Sequence, residues 1–222
     1  MKEIIIFGCG GQAKVVLDCI KLIKGYKAIG FIGDKHYSFS FSKQIKYLGL
    51  IKDLNKIIKN YNSKNLYGII GIGDNIKRKK ISLQIKKFNK KFKWANIIHP
   101  SAFVSPSVTI GYGNVILAGS IICAETKIYN HVCINTGSYI DHDNVFHNFS
   151  STGPGVATGG NVKVGEKSFL GIGCAVKHKI FIGANTIIGG QAFVCKNCKP
   201  NSLYYGVPAR RIKQRTIDES YL

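Results

Sequence analysis

The sequence predicts an α/β N-terminal Rossmann-like domain over residues 1–98, followed by an all-β parallel β-helix of hexapeptide repeats over 99–204 and a tail over 205–222. Two observations predict it. The first is an apolar run, Ile4-Ile5-Ile6-Phe7, that enters a Gly-rich turn and then an amphipathic helix pattern. The second is a period of six. From Val104 every sixth residue to Val194 is aliphatic, Phe or Thr, and fourteen of the sixteen are apolar with no slip of register. Neither the helical period near 3.6 nor the strand period of 2 produces this. A repeated hexapeptide is the signature of a parallel β-helix, in which each repeat makes one short strand and a corner. Three sides close a coil, so residues eighteen apart stack at one inter-strand spacing, about 4.8 Å.

In chain order, Lys2–Gly8 reads as a buried strand and Ala13–Lys24 as the helix after Gly8-Cys9-Gly10-Gly11-Gln12. Glycines between strand and helix let the backbone approach a ligand and aim helix amides at an anion. The dinucleotide fingerprint is incomplete, because Ala13 stands where its last Gly often falls. The turn therefore points to a nucleotide or phosphate more than to a whole dinucleotide. Ala28–Ile32 is a second strand ending in Gly33-Asp34, where ribose or base contacts fall in such folds. Leu48–Ile51 is a short strand or edge segment. Residues 52–62 read as an amphipathic helix with Leu54, Ile57 and Ile58 inward. Leu66–Ile72 is a third strand ending in Gly73-Asp74-Asn75, and Ile76–Lys91 is a basic amphipathic helix. His99-Pro100 marks the boundary. The segment 211–222 reads as a polar helix or a frayed end.

Composition narrows the class. The chain has 222 residues, 45% of them hydrophobic, enough for a buried core, and no apolar run of membrane-spanning length. Its beginning reads as a strand, not a signal peptide. The seven Cys have no paired spacing, and Cys195-x-x-Cys198 has no second pair or neighbouring His. Reduced cytoplasmic thiols and no metal are expected. Residues 1–98 carry 21 Lys and Arg against 5 acids. Those lysines are spread over helix-like segments without aromatic interleaving, so nucleic acid is not the expected partner. A basic surface still favours an anionic small molecule.

Taken together, Ile-Phe-Gly-Cys-Gly-Gly-Gln-Ala-Lys-Val-Val, Gly-Phe-Ile-Gly-Asp, Gly-Ile-Gly-Asp-Asn-x-x-Arg, the hexapeptides and the closing Gly-Val-Pro-Ala-Arg resemble a known family. It is the bacterial sugar acyltransferase family of sialic acid O-acetyltransferases and UDP-4-amino-sugar N-acetyltransferases. The resemblance covers roughly residues 2–213. It implies a left-handed β-helix, a homotrimer, and acetyl-CoA lying lengthwise between two subunits. It also places Ser151, Gly160, Ile172 and Gly190 on the family's acetyl-CoA positions. Gly10, Gly11, Gln12, Gly33, Asp34 and Gly73 fall on the nucleotide-sugar side. Gln12 and Ser151 stand where the family commonly has His, and Gly33 where it commonly has the first of two Asp.

Acyl transfer from a thioester needs a base for the nucleophile and an N–H for the developing oxyanion. Of six His (36, 99, 131, 142, 147, 178), His142 falls at a coil edge two residues after the inward Ile140, between Asp141 and Asp143. A carboxylate beside an imidazole raises its basicity and can fix its tautomer. His142 and Asp143 are therefore the expected catalytic pair. Gly160 falls one coil above His142, and His178 two. A flat-sided stack presents apolar faces, with Cys133 and Tyr139 expected at subunit contacts. The expected activity is acetyl-CoA-dependent N-acetylation of a nucleotide-linked 4-amino-sugar for bacterial surface-glycan or glycoprotein biosynthesis, in the cytoplasm. O-acetylation of a sialic or related nonulosonic acid is the alternative, and a non-catalytic β-helix scaffold or binding module a further one. The sugar and the nucleotide (UDP, dTDP or GDP) stay open.

Overall fold

The computed structural model describes residues 1–33, 45–61, 64–216 and 219. The N-terminal unit is a four-stranded parallel sheet in the order β3-β2-β1-β4, from β1 (Lys2–Phe7), β2 (Tyr26–Ile32), β3 (Tyr47–Gly49) and β4 (Leu66–Ile70). Both faces are covered, which is why Ile4, Ile5, Ile6 and Phe7 are all buried rather than alternating. Helix α1 (Gly11–Leu22) lies on one face; α2 (Leu54–Ile58) and α3 (Asn75–Phe88) lie on the other.

The helix expected over 52–62 is shorter. A 3₁₀ turn, Ile51–Asp53, leads into α2. Asn60 and Tyr61 then donate their amides to the Ile57 and Ile58 carbonyls, tightening the last turn into a stop.

The second unit is a three-sided β-helix. One face stacks Ile97–Ile98, Val115–Ile116, Cys133–Ile134, Ser151–Thr152, Phe169–Leu170 and Ile187–Ile188, and ends in Ser202–Tyr205. A second stacks Phe103–Val104, Ile121–Ile122, Tyr139–Ile140, Ala157–Thr158, Ala175–Val176 and Phe193–Val194. The third runs from Thr109–Ile110 through Lys127–Ile128, Val145–Phe146 and Lys163–Val164 to Phe181–Ile182. Partners are eighteen residues apart throughout, as in Tyr139 with Ala157. The sixth-residue aliphatics point into the prism and form one core from Ile116 to Val194. Each such side chain, fully removed from water, contributes about 1.5–3 kcal/mol.

The small residues between them tie the coils together. Ser120 Oγ donates to the Asn135 carbonyl (2.9 Å), Thr126 Oγ1 to Asp141 (3.0 Å), Asn144 Nδ2 to Gly159 (3.0 Å) and Ser168 Oγ to Gly183 (2.6 Å). Every one spans fifteen residues. A buried hydroxyl or amide would otherwise be a penalty; here each one clamps the next corner.

The two units share a core. Ala13, Val16, Leu17 and Ile20 of α1 pack with Ile97, Val115, Leu117 and Cys133 of the first β-helix face. Cys133 is therefore buried within one chain and is not a subunit contact; Tyr139, on the second face, is exposed. The tail differs from expectation as well. Arg210–Gln214 is a strand, antiparallel to Ser202–Tyr205, after a reversal through Gly206 (φ 100°) and a cis Val207–Pro208 bond. A local pattern rich in polar residues takes strand form here because a sheet edge is available to pair with it. No helix among the described residues is long and apolar enough to cross a membrane.

Candidate active site

His142 sits on the edge where the second and third faces meet. The residue after it adopts left-handed backbone, with Asp143 at φ 57°. Short Asp and Asn side chains tolerate this conformation best. The twist turns the Asp143 carboxylate back onto the ring, with Oδ2 2.7 Å from His142 Nδ1. Asp141 Oδ1 accepts the His142 amide at 2.8 Å. Buried Asn144 donates to the Asp141, His142 and Gly159 carbonyls and so fixes the whole corner. Asn144 was not among the expected site residues; its signal in the sequence is a polar amide in a slot that mostly holds small or aliphatic residues, with Asn114 the other amide.

A carboxylate only accepts, so the shared proton stays on Nδ1 and the Nε2 lone pair is left open. The hydrogen bond to Asp143, and then the charge of Asp141, raise the His142 pKa above its ordinary value. Nε2 faces the neighbouring coil at Gly160. A Cβ placed on Gly160 would lie 2.5 Å from Nε2. Gly160 thus keeps the ring in place by lacking a side chain. Gly160→Ala should push the imidazole aside and lower kcat at least tenfold with little change in melting temperature; steady-state kinetics beside thermal unfolding checks this. A groove of about 410 Å³ follows the edge past Gly160 and Asn161 to His178 and Lys179.

The expected cofactor residues fall in three places. Gly160 is in the His142 groove. Ile172 and Gly190 stack on a different edge, between the first and second faces, where Gln191 donates to the Ile172 carbonyl. They line a second groove of about 340 Å³ with Tyr205, Lys213 and Arg215. Ser151 is in neither. It is buried on the first face, and its hydroxyl donates to Asn75 Oδ1 at 2.7 Å. A hydroxyl so placed supports the joint between the two units, which a reading by coil position alone does not reveal.

That joint centres on Arg78, only 2% exposed. Its guanidinium donates to the carbonyls of Ile72, Gly73, His131 and Phe149 and to Asn75 Oδ1, at 2.6–3.0 Å. Gly73, expected near substrate, gives its carbonyl to this network. His131 is buried beside it, stacked on Phe149 at 5.0 Å. Burial, and then the Arg78 charge, push the His131 pKa down to about 3, which holds it neutral. Its Nε2 lies 3.2 Å from Ser82 Oγ. Asn75 and Arg78 stand one turn apart on a helix whose start meets the β-helix.

A cavity of about 730 Å³ opens at the carboxyl ends of β1 and β2, lined by Gly8, Cys9, Gly10, Gly33, Leu50, Ile51, Ile72, Lys77, Ile81 and Gln84 among others. This is where parallel α/β sheets bind ligands. Gly8 is required: its φ is 116° and a Cβ would lie 2.9 Å from the Gly71 carbonyl. Helix α1 is preceded by Gly10 at its N-cap, with no side-chain cap and no acid in its first turn, so its end presents bare amide donors. Gly11 belongs to that first turn. Gln12 points elsewhere, its amide 3.6 Å from Cys133 Sγ at the β-helix. Asp34 and His36 lie outside the described residues. Among the described residues no group of His, Cys, Asp and Glu is arranged to hold a metal.

The PglD N-terminal domain family matches residues 3–85. A solved structure of a histidine-to-asparagine mutant of perosamine N-acetyltransferase from Caulobacter crescentus, in complex with CoA and GDP-perosamine, superposes with a TM-score of 0.88. Its sequence is 32% identical, and the match covers 96% of this chain and 98% of that one. The chain belongs to the hexapeptide-repeat sugar N-acetyltransferase family. A second member, the acetyltransferase domain of PglB from Neisseria gonorrhoeae in complex with acetyl coenzyme A, is 26% identical with a TM-score of 0.86. That match covers 95% of this chain and 99% of the domain. Among curated proteins, UDP-N-acetylbacillosamine N-acetyltransferase of Bacillus subtilis is 33% identical over 121 residues, 53% of this chain. The chain spans 52% of that protein's length, and 22% of an uncharacterized protein of Acanthamoeba polyphaga mimivirus. Membership accounts for the pairing of an α/β unit with a β-helix in one chain.

Proposed function

We propose that the chain is an acetyl-CoA-dependent N-acetyltransferase of a nucleotide-linked 4-amino-sugar, serving bacterial surface-glycan or glycoprotein biosynthesis in the cytoplasm. The observation that carries this is the His142–Asp143 pair with Nε2 directed at side-chain-free Gly160. Acetyl-CoA supplies the acyl group as an activated thioester. His142 Nε2 takes the proton that the amine loses as its nitrogen bonds to the acyl carbon. Asp143 stabilises the imidazolium that results, and His142 returns the proton to the departing thiolate. The open backbone at Gly160 leaves room for the thioester, and the groove at Ile172 and Gly190 has exposed walls for the rest of CoA. Solved relatives complexed with CoA or acetyl coenzyme A and with GDP-perosamine support the same pair of substrates.

The site takes shape in a homotrimer. The second face carries exposed Phe103, Ile121, Tyr139 and Phe193, an unpaired apolar surface. The His142 groove borders it on one side, and the Ile172–Gly190 groove on the other. Packing this face around a threefold axis brings the His142 edge of one copy beside the Ile172 edge of the next. Light scattering at micromolar concentration should give three times the 24.4 kDa chain mass; a fully active monomer contradicts the shared groove. A thiol-release assay with acetyl-CoA against UDP-, dTDP- and GDP-linked 4-amino-sugars and sialic acids tests the activity. Release with at least one amino-sugar nucleotide is expected, and release with sialic acids alone overturns it.

A further inference from the structure

We propose that helix α3 fixes how the nucleotide lies in the N-terminal cavity: Lys77 pairs with the diphosphate and Gln84 contacts the base. This rests on the reading of that cavity as the nucleotide-sugar site. Lys77, Ile81 and Gln84 stand four and three residues apart and present one helical stripe to the cavity. Lys77 is its one cation among the described lining residues, and no carboxylate lines it there. The Lys77 backbone amide is bonded to the Asp74 carboxylate, the α3 N-cap, at 2.8 Å, so the side chain's anchor point is rigid. Lys77 shares the cavity with Gly8, Cys9 and Gly10, and its positive charge favours an anion there.

Gln84 lies seven residues further along, about 10 Å by helical rise, the order of the span from a diphosphate to its base. Leu50, Ile51 and Ile81 give the cavity apolar walls for a ring, and the Gln84 amide offers one acceptor and two donors to a ring's edge. Direction follows from the joint. The start of α3 is fixed to the β-helix, where Asn75 donates to the Lys167 and Ser168 carbonyls at 3.1 and 3.0 Å. Lys77 is therefore at the β-helix end and Gln84 at the far end. A ligand laid along α3 points its sugar toward the β-helix and its base away. Neither residue was among the expected substrate contacts, which came from loops after strands, not from a helix side.

Both side chains are exposed, so their variants should fold. The test is calorimetry with UDP, dTDP and GDP, and with the matching nucleosides, on wild type, Lys77→Gln and Gln84→Ala. For the nucleoside diphosphate that wild type binds best, Lys77→Gln should weaken binding tenfold or more and leave the nucleoside unchanged. Gln84→Ala should weaken nucleoside and diphosphate by the same factor. Acetyl-CoA binding should be unaltered in both. Equal loss of nucleoside and diphosphate in Lys77→Gln, or no loss, overturns the assignment while the cavity's role stands. Failure of wild type to bind any nucleoside diphosphate overturns the nucleotide-sugar reading itself.

Discussion

His142→Ala is expected to lower kcat about a hundredfold to ten-thousandfold, the usual contribution of a positioned general base, with the fold intact. The imidazole is mostly exposed, with 59% of its side chain open to solvent, so its removal leaves no cavity. The pH profile carries a second signature. A base acts only when neutral, and the His142 pKa is raised, first by the Asp143 hydrogen bond and then by Asp141. The acid limb of kcat/KM should therefore lie above the ordinary imidazole range, with activity lost as pH falls through it. Asp143→Asn should move that limb to lower pH and reduce kcat less than His142→Ala does. Near wild-type turnover in His142→Ala, or an unmoved limb in Asp143→Asn, contradicts the roles given to the pair.

The largest effect on stability is expected at Arg78. Arg78→Met should destabilise the protein by roughly 3–5 kcal/mol, the range for removing one member of a buried, hydrogen-bonded charged network. The change leaves the carbonyls of Ile72, Gly73, His131 and Phe149 and the Asn75 side chain short of a donor, those of His131 and Asn75 in buried positions. The lost bonds to His131 and Phe149 join the N-terminal unit to the β-helix, so denaturant unfolding should also lose its single transition and show the N-terminal unit melting first. A shift below about 1 kcal/mol with cooperativity kept would mean that the apolar contact of α1 with the β-helix face holds the units together alone.

The β-helix is legible from sequence because its strands are only two residues long and its inward position recurs every sixth residue. Val104 to Val194 therefore sets the register by itself. The corner of His142 follows from the same register, as does Gly160 one coil away. What is not legible is which face another part of the chain covers. Ser151 and Cys133 occupy outward positions like that of Tyr139, yet α1 and α3 bury the first face and leave the second open. Arg78 is hidden for a similar reason. On a basic helix its charge looks like any other surface cation, and only the meeting of two units makes it a buried hub. The tail strand Arg210–Gln214 owes its form to a free sheet edge, a tertiary fact. Lys77 and Gln84 are recognisable only once the cavity has walls.

The most direct measurement is the structure of the acetylated product. Wild type incubated with acetyl-CoA and the nucleotide-linked 4-amino-sugar that it turns over should yield that sugar nucleotide with one acetyl group on the former amine nitrogen. The product should resist mild alkali as an amide does, and its formation should fall with His142→Ala. A product acetylated on oxygen and cleaved by mild alkali, or undiminished formation without His142, would contradict the account.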